Sequence, residues 1–123
     1  MIDKKEFRLI LTNINSAKIN MAIDKALTIS YEKDDIPILR FYTWENSFTV
    51  GLGQDLEHYS DLKEIYKDNC SKRITGGGVL FHGHDISYSL VSSNTEFGTL
   101  SVKQSYEKIC QFLLEFYRKL GLN

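Results

Sequence analysis

Residues 72–90 read KRITGGGVLFHGHDISYSL, and side chains able to do chemistry crowd into them: Arg73, Thr75, His82, His84 and Asp85, around three successive glycines at 76–78. Glycine has no side chain, so three in a row let the backbone approach a bound group closely and turn N–H groups toward an anion without steric cost. A phosphate or carboxylate suits such a loop. Arg73 adds a permanent planar cation with paired donors matched to either oxyanion, and Thr75 adds a hydroxyl. As a bare pattern, RxTGGG reads equally well as a hairpin turn with incidental glycines. It also differs from the known phosphate loops. A Walker loop needs GxxxxGK followed by Ser or Thr, and a dinucleotide fingerprint needs GxGxxG opening a helix, whereas this loop runs into VLFH, which reads as strand.

His82 and His84 alternate around Gly83, so a regular strand would project them from one face, with Asp85 next. Zinc needs three or four ligands, and the third histidine, His58, falls in a separate helical segment. A histidine lining a polar pocket is the preferred reading over a metal site.

The elements that must position these residues follow from hydrophobic spacing. Residues 7–11 (FRLIL) read as a strand, and TNINS after them supplies the polar side chains that start a helix. From Ser16 to about Tyr31, Ile19, Ala22, Ile23, Ala26 and Leu27 make one apolar helical face, ended by EKDD and Pro37. Residues 38–44 (ILRFYTW) and 48–52 (FTVGL) are strand-like, and the short ENS between them predicts a hairpin. Leu56, Tyr59, Leu62, Ile65 and Tyr66 predict a helix over 55–68 with Asn69 as its stop. After the glycine loop come two strands broken near Gly83. Ser101 and Gln104 form a capping-box pattern, and Val102, Tyr106, Ile109, Leu113, Phe116 and Leu120 follow as one stripe that Gly121 closes. Hairpins among helices suggest an α+β fold, a mixed and largely antiparallel sheet flanked by helices.

A chain of 123 residues fits one ordinary domain, and its 42% hydrophobic content with a single proline leaves little room for disorder. Its net charge of -1 excludes a global field for nucleic acid or anionic lipid, so any anion must be held locally. A stacking platform for nucleic acid on the aromatic strands is disfavoured for the same reason. The N-terminus has too short an apolar run for a signal peptide, and no membrane span is visible, so a soluble, cytoplasmic protein is expected. Cys70 and Cys110, far apart and without CxxC spacing, read as structural thiols.

Taken together, NMAIDKAL (Asn20 to Leu27), LRFYTW (Leu39 to Trp44), VGLGQ (Val50 to Gln54), KRITGGGVLFH (Lys72 to His82) and DISYSL (Asp85 to Leu90) resemble the lipoate-protein ligases and octanoyltransferases, relatives of biotin-protein ligases. The match is distributed, in order and at similar spacing, over almost the whole chain. It implies a fold similar to that of class II aminoacyl-tRNA synthetases and biotin ligases. By this resemblance the loop cradles an acyl carboxyl end and, in the ligases, the phosphate of an acyl-adenylate. Arg73 and the backbone of Gly78, Val79, Leu80 and Phe81 fall on the nucleotide-contacting positions, and Thr75, Gly76, Gly77 and His82 complete the loop. Leu39, Phe41, Tyr42 and Trp44 fall on the acyl pocket or the core beside it; aromatics on central strands are commonly packing.

The implied chemistry uses ATP, Mg²⁺ and lipoate. The lipoate carboxylate attacks the α-phosphate of ATP, pyrophosphate leaves with Mg²⁺, and a lysine amine of a lipoyl-acceptor domain attacks the mixed anhydride. Each step moves negative charge near phosphate, so preorganised N–H donors and one guanidinium supply the stabilisation. The cysteine-dependent transferases often carry arginine as third residue of the loop; Gly78 stands there, as in the ligases, which favours a lipoate ligase over an octanoyltransferase.

One part of the family pattern is missing. The family's catalytic lysine lies in a later strand-turn segment, and Lys103, Lys108 and Lys119 belong instead to the last helix, on what reads as a solvated face. The transferase cysteine lies downstream too, so neither Cys70 nor Cys110 inherits its role; Cys110 sits on the apolar stripe. Residues 1–123 are thus expected to be the N-terminal part of a ligase catalytic domain. A complementary C-terminal polypeptide or a second copy would meet it at an exposed sheet edge. The alternative is a non-catalytic module that binds lipoate or nucleotide.

Overall fold

Strand β1 (Arg8–Asn15), helix α1 (Ala17–Ser30), strands β2 (Ile38–Trp44) and β3 (Ser47–Val50), helix α2 (Ser60–Ile65), strands β4 (Cys70–Lys72), β5 (Leu80–His82) and β6 (Ile86–Val91), and helix α3 (Val102–Lys119) succeed one another. The computed structural model describes residues 6–33, 35–93 and 102–122. The chain divides into two units, Met1–Ser92 and Ser93–Asn123.

The first unit holds two three-stranded sheets, ordered β1-β2-β6 and β4-β3-β5. Each joins one parallel pair, β1 with β2 and β3 with β4, to one antiparallel pair, β2 with β6 and β3 with β5. The fold is therefore α+β with mixed sheets, as expected, although parallel and antiparallel pairings are evenly divided among the described residues.

The predicted hairpin does not form. Only Glu45 and Asn46 separate β2 from β3, yet the two strands lie in different sheets. The Glu45 N–H donates to the Asn15 carbonyl at 2.9 Å, which carries the end of β2 on along β1. All four residues of β3 are buried, so this strand is covered on both faces, and as the centre of the second sheet it is paired along both edges.

Helix α1 starts where the TNINS segment predicts. The Ser16 hydroxyl accepts from the Ile19 N–H at 3.2 Å, and Asn69 Oδ1 accepts from the Ala17 N–H at 2.9 Å, so two of the helix's first donors are satisfied. Its buried face sets Ala17 and Met21 against Tyr42 and Trp44. Strand alternation in β2 turns Ile38, Arg40, Tyr42 and Trp44 to the buried side. Leu39 and Phe41 point the other way, in register with Leu9 and Leu11 of β1 and with Leu90 and Tyr88 of β6.

Beneath α1 lies a polar cluster that the apolar pattern hides. Arg40, fully buried, donates to Asp24 Oδ1 at 2.7 Å, Asn20 Oδ1 at 2.7 Å, the Asn20 carbonyl at 3.2 Å and Thr12 Oγ1 at 3.2 Å. Its guanidinium carbon lies 3.7 Å from the centre of the Tyr42 ring, and the Tyr42 and Ser89 hydroxyls both donate to Asp24.

The second sheet packs Phe48, Val50 and Cys70 against Leu56, Tyr59, Leu62, Tyr66 and Val79. The helix predicted over 55–68 is two pieces, a 3₁₀ turn at Leu56–Tyr59 and α2, and it stops at Ile65. Lys67 and Asp68 at φ 53° and 61° reverse the chain and deliver it into β4, three residues that no periodicity announces. Asn69 caps α1 instead of α2.

The second unit contains α3, on which Tyr106, Ile109, Leu113, Phe116 and Leu120 share one stripe. Gly121 closes it as expected: its φ is 80°, its N–H donates to the Arg118 carbonyl, and the Leu122 N–H reaches the Tyr117 carbonyl, each at 2.9 Å. Ser101, the start of the expected capping box, and the Val102 side chain lie outside the described residues. Among those described, no helix is long and apolar enough to cross a membrane.

Candidate anion-binding site

The glycine loop lies on the end of β3. Two backbone bonds lash its flanks to the strand: the Arg73 N–H donates to the Val50 carbonyl and the Leu52 N–H to the Thr75 carbonyl, each at 2.9 Å. Between them Gly77 packs directly over Gly51. A Cβ at Gly51 would stand 2.0 Å from the Gly77 carbonyl oxygen, so only glycine permits the loop to lie down there. Gly77 itself has φ 103°, a left-handed conformation costly for any side chain.

Arg73 then shapes the loop from within. Its Nη2 donates to the carbonyls of Gly76 at 3.1 Å and Gly78 at 2.7 Å, and its Nη1 donates to Thr49 Oγ1 at 2.8 Å. In a planar trans peptide the N–H points opposite to the C=O, so the N–H groups of Gly77 and Val79 face away from the guanidinium. Among the described residues, the N–H groups of Gly76, Gly77, Gly78 and Val79 donate to no backbone acceptor. The three glycines are exposed and Val79 is half-buried, so the glycine donors are the ones open to an incoming anion.

The charge balance favours the same ligand class. Arg73's partners are two carbonyls and a hydroxyl, and among the described residues no carboxylate lies within ion-pair distance of it. Burial lowers the guanidinium's pKa from its ordinary value, but arginine stays charged near neutrality. Arg73 was expected to meet an oxyanion with a full fork of donors. In the structure both Nη2 hydrogens are already spent on the loop, so much of its role is to hold the loop's shape.

Behind Arg73 stands His82. Its ring is buried and stacked on Trp44, centroids 3.7 Å apart and planes 11° from parallel. Nε2 lies 2.9 Å from Thr49 Oγ1 and Nδ1 lies 2.7 Å from Asp85 Oδ2. Burial pushes the Asp85 carboxyl up, but the hydrogen bonds from His82 and the Gly83 N–H outweigh it and hold it below the usual carboxylate value. The expectation that His82 and His84 share a face fails, because β5 ends at His82 and His84 lies exposed in the following turn.

The remaining expected residues divide. Thr75 is exposed, and it is its carbonyl that bonds to Leu52. Val79 packs into the second core. Leu80 and His82 register with Thr49 and Ser47 and share their side of the sheet, whereas Phe81 registers with Phe48, half-exposed and stacked on Tyr66. The four expected acyl-pocket residues cannot line one surface. Leu39 and Phe41 lie on one face of β2; Tyr42 and Trp44 are buried on the other, with Trp44 Nε1 donating to Ser87 Oγ at 2.9 Å. Thr49 is not singled out by the sequence, and Asp85, noted there beside the histidines, enters the site through His82. Asp85, three residues after a histidine, carried a readable signal; a threonine inside FTV carried none.

The comparisons with known proteins bear on this geometry. The family described as the lipoyl protein ligase A/B catalytic domain matches residues 16–123. An octanoyltransferase LipM from Oceanobacillus iheyensis is 35% identical over 111 residues, which cover 86% of this chain and 41% of that protein. Among solved structures, a lipoate-protein ligase A bound with ATP superposes with a TM-score of 0.83 at 28% identity, covering 96% of this chain and 48% of that one. An archaeal bi-partite lipoate protein ligase from Thermoplasma acidophilum, studied with its E2 lipoyl domain, gives 0.73 at 27%, covering 98% and 48%. The chain thus spans less than half the length of these relatives.

Proposed function

This chain belongs to the lipoyl protein ligase A/B catalytic domain family, and we propose that within it the chain is the nucleotide- and acyl-binding part of a lipoate-protein ligase. The observation that carries the reading is the loop: a row of open glycine N–H donors beside an arginine with no carboxylate partner among the described residues, and space at Gly78, where a Cβ would meet nothing within 4 Å. An acyl-adenylate places a phosphate where such a loop acts best. The lipoate carboxylate oxygen bonds to the α-phosphorus of ATP, the bond to pyrophosphate breaks, and charge on the α-phosphate oxygens grows against fixed donors. A lysine amine then attacks the acyl carbon and AMP leaves, its phosphate again facing the loop. The ATP bound in one structural relative supports this assignment.

Among the described residues no group of carboxylates, histidines or cysteines that could hold a metal ion is found, and Asp85 already accepts from His82 and from the Gly83 N–H; the chemistry assigned to this chain is that of the loop and Arg73. The family lysine is supplied from outside residues 1–123, by a complementary polypeptide or a continuation of the domain. The bi-partite Thermoplasma ligase supports that arrangement and a lipoyl domain as acceptor.

A second reading, octanoyl transfer from a carrier protein, has support from the LipM relative. The completed protein separates the two. Lipoylation of an acceptor domain that requires ATP and lipoate, with pyrophosphate released and no transfer from octanoyl-carrier protein, is the expected result; the opposite pattern overturns the ligase reading. Arg73→Met should lower adenylate formation about a hundredfold or more, with the melting temperature changed little.

A further inference from the structure

We infer that Thr49, His82 and Asp85 form a positioning chain that acts through Arg73 and holds the glycine loop in the shape that presents its N–H groups. The inference deepens the proposed function and rests on the loop being an anion site. Its basis is the unbroken sequence of bonds from Asp85 to the loop: 2.7 Å from Asp85 to His82, 2.9 Å from His82 to Thr49, 2.8 Å from Thr49 to Arg73, then 3.1 Å and 2.7 Å to the carbonyls of Gly76 and Gly78.

The direction of each bond follows from the groups. An ionised carboxylate only accepts, so His82 carries its hydrogen on Nδ1 and points it at Asp85. With the imidazole neutral, Nε2 is an acceptor and the Thr49 hydroxyl donates to it. The hydroxyl's lone pairs then face Arg73 Nη1. With its hydrogen committed to His82, the Thr49 oxygen is fixed as an acceptor and the guanidinium has one orientation. That orientation aims Nη2 at the two loop carbonyls and sends the N–H groups of Gly77 and Val79 outward.

Position argues that Thr49 and His82 hold Arg73 and do not themselves meet an anion at the loop. Thr49 is fully buried and His82 is 7% exposed. The chain draws one member from each of three places, β3, β5 and the β5–β6 turn, and Trp44 of β2 clamps the imidazole from its face. No buried side-chain polar atom among the described residues lacks a partner, so the buried members of the chain have their bonding needs met within it.

Thr49→Val keeps the side-chain shape and removes the hydroxyl; Thr49→Ser keeps the hydroxyl. In the ligand-free protein, NMR order parameters at the amides of Gly76, Gly77 and Gly78 and at Arg73 Nε should fall in Thr49→Val and return in Thr49→Ser. ATP affinity should fall about tenfold in the first and stay within about twofold in the second. In an Arg73→Lys background Thr49→Val should cost almost nothing further, since the hydroxyl acts through the guanidinium. Unchanged order parameters in Thr49→Val, or an equal loss in both backgrounds, overturns the inference. If the unsubstituted protein binds no ATP, the ligase reading falls, and the ligand-free order parameters still decide the positioning chain. Should Thr49→Val fail to fold, Asp85→Asn gives the same readings at the chain's half-exposed end, with about a threefold loss expected.

Discussion

Two arginines organise this molecule, and they differ in what they leave unpaired. Arg40 is sealed beneath α1, with a carboxylate at 2.7 Å and three further acceptors around its guanidinium. Arg73, half-buried at the loop, has only neutral partners among the described residues. The first cluster neutralises its charge internally and ties α1 to β2 and, through Ser89, to β6. The second sets its guanidinium beside the exposed glycines of the loop, with the Asp85 carboxylate two side chains away. A buried charge with its counterion serves the fold; a charge held by neutral acceptors waits for an external counterion.

The comparison breaks first at Arg40. Arg40→Met strands the Asp24 carboxylate in a closed site, and about 3–5 kcal/mol of stability should go, read as a lowered urea midpoint with unchanged slope. A loss under about 1 kcal/mol would mean that water reaches the cluster. Gly51→Ala comes next. Its methyl would meet the Gly77 carbonyl at 2.0 Å, so the loop must lift, with about 1–3 kcal/mol lost and ATP binding weakened alongside. Gly76→Ala, with open space around it, should stay within about 0.5 kcal/mol.

The smallest effects are in the pH dependence, and the two clusters should show them at opposite ends of the scale. Burial first, and then the neighbouring Asp24 carboxylate, push the Tyr42 phenol up to about 12, against the opposing Ser89 hydrogen bond. A raised pKa means that the folded state holds its proton more tightly. The Arg40 cluster's contribution is whole below about pH 10 and fades as pH rises through about 12. The Asp85 carboxyl is held below its ordinary 3.8, so the relay's contribution is present above that pH and fades as pH falls beneath it. Tyrosine absorbance and denaturation midpoints across both windows check the pair; Tyr42 ionising near pH 10 would contradict the first.

Much of this was legible in the sequence, for identifiable reasons. The glycine loop and the close of α3 rest on local rules, and the structure keeps them; the expected face of α1 does not hold, since Ile19, Ala22 and Ala26 are exposed and Ala17, Asn20 and Met21 are buried instead. The Arg40 cluster was hidden, because Arg40 lies inside an apolar strand and its partners Asp24 and Asn20 stand 16 and 20 residues away on another element. The alternation of β2 already separated Tyr42 and Trp44 from Leu39 and Phe41. The switch of sheets at Glu45 and Asn46 was hidden, because a three-residue gap looks the same whether the chain turns back or steps across. β4 was too short to show a period, and Thr49 earns its place only through partners 24 and 33 residues away.

The stacking of Trp44 on His82 has an optical consequence. Trp44 is the chain's single tryptophan, so all of its indole emission arises from a ring lying on that imidazole. Indole fluorescence is sensitive to the charge and distance of a group stacked against it. A ligand that draws on Arg73 pulls on Thr49, and through it on His82. The unlabelled protein thus carries a built-in gauge of whether its loop is occupied.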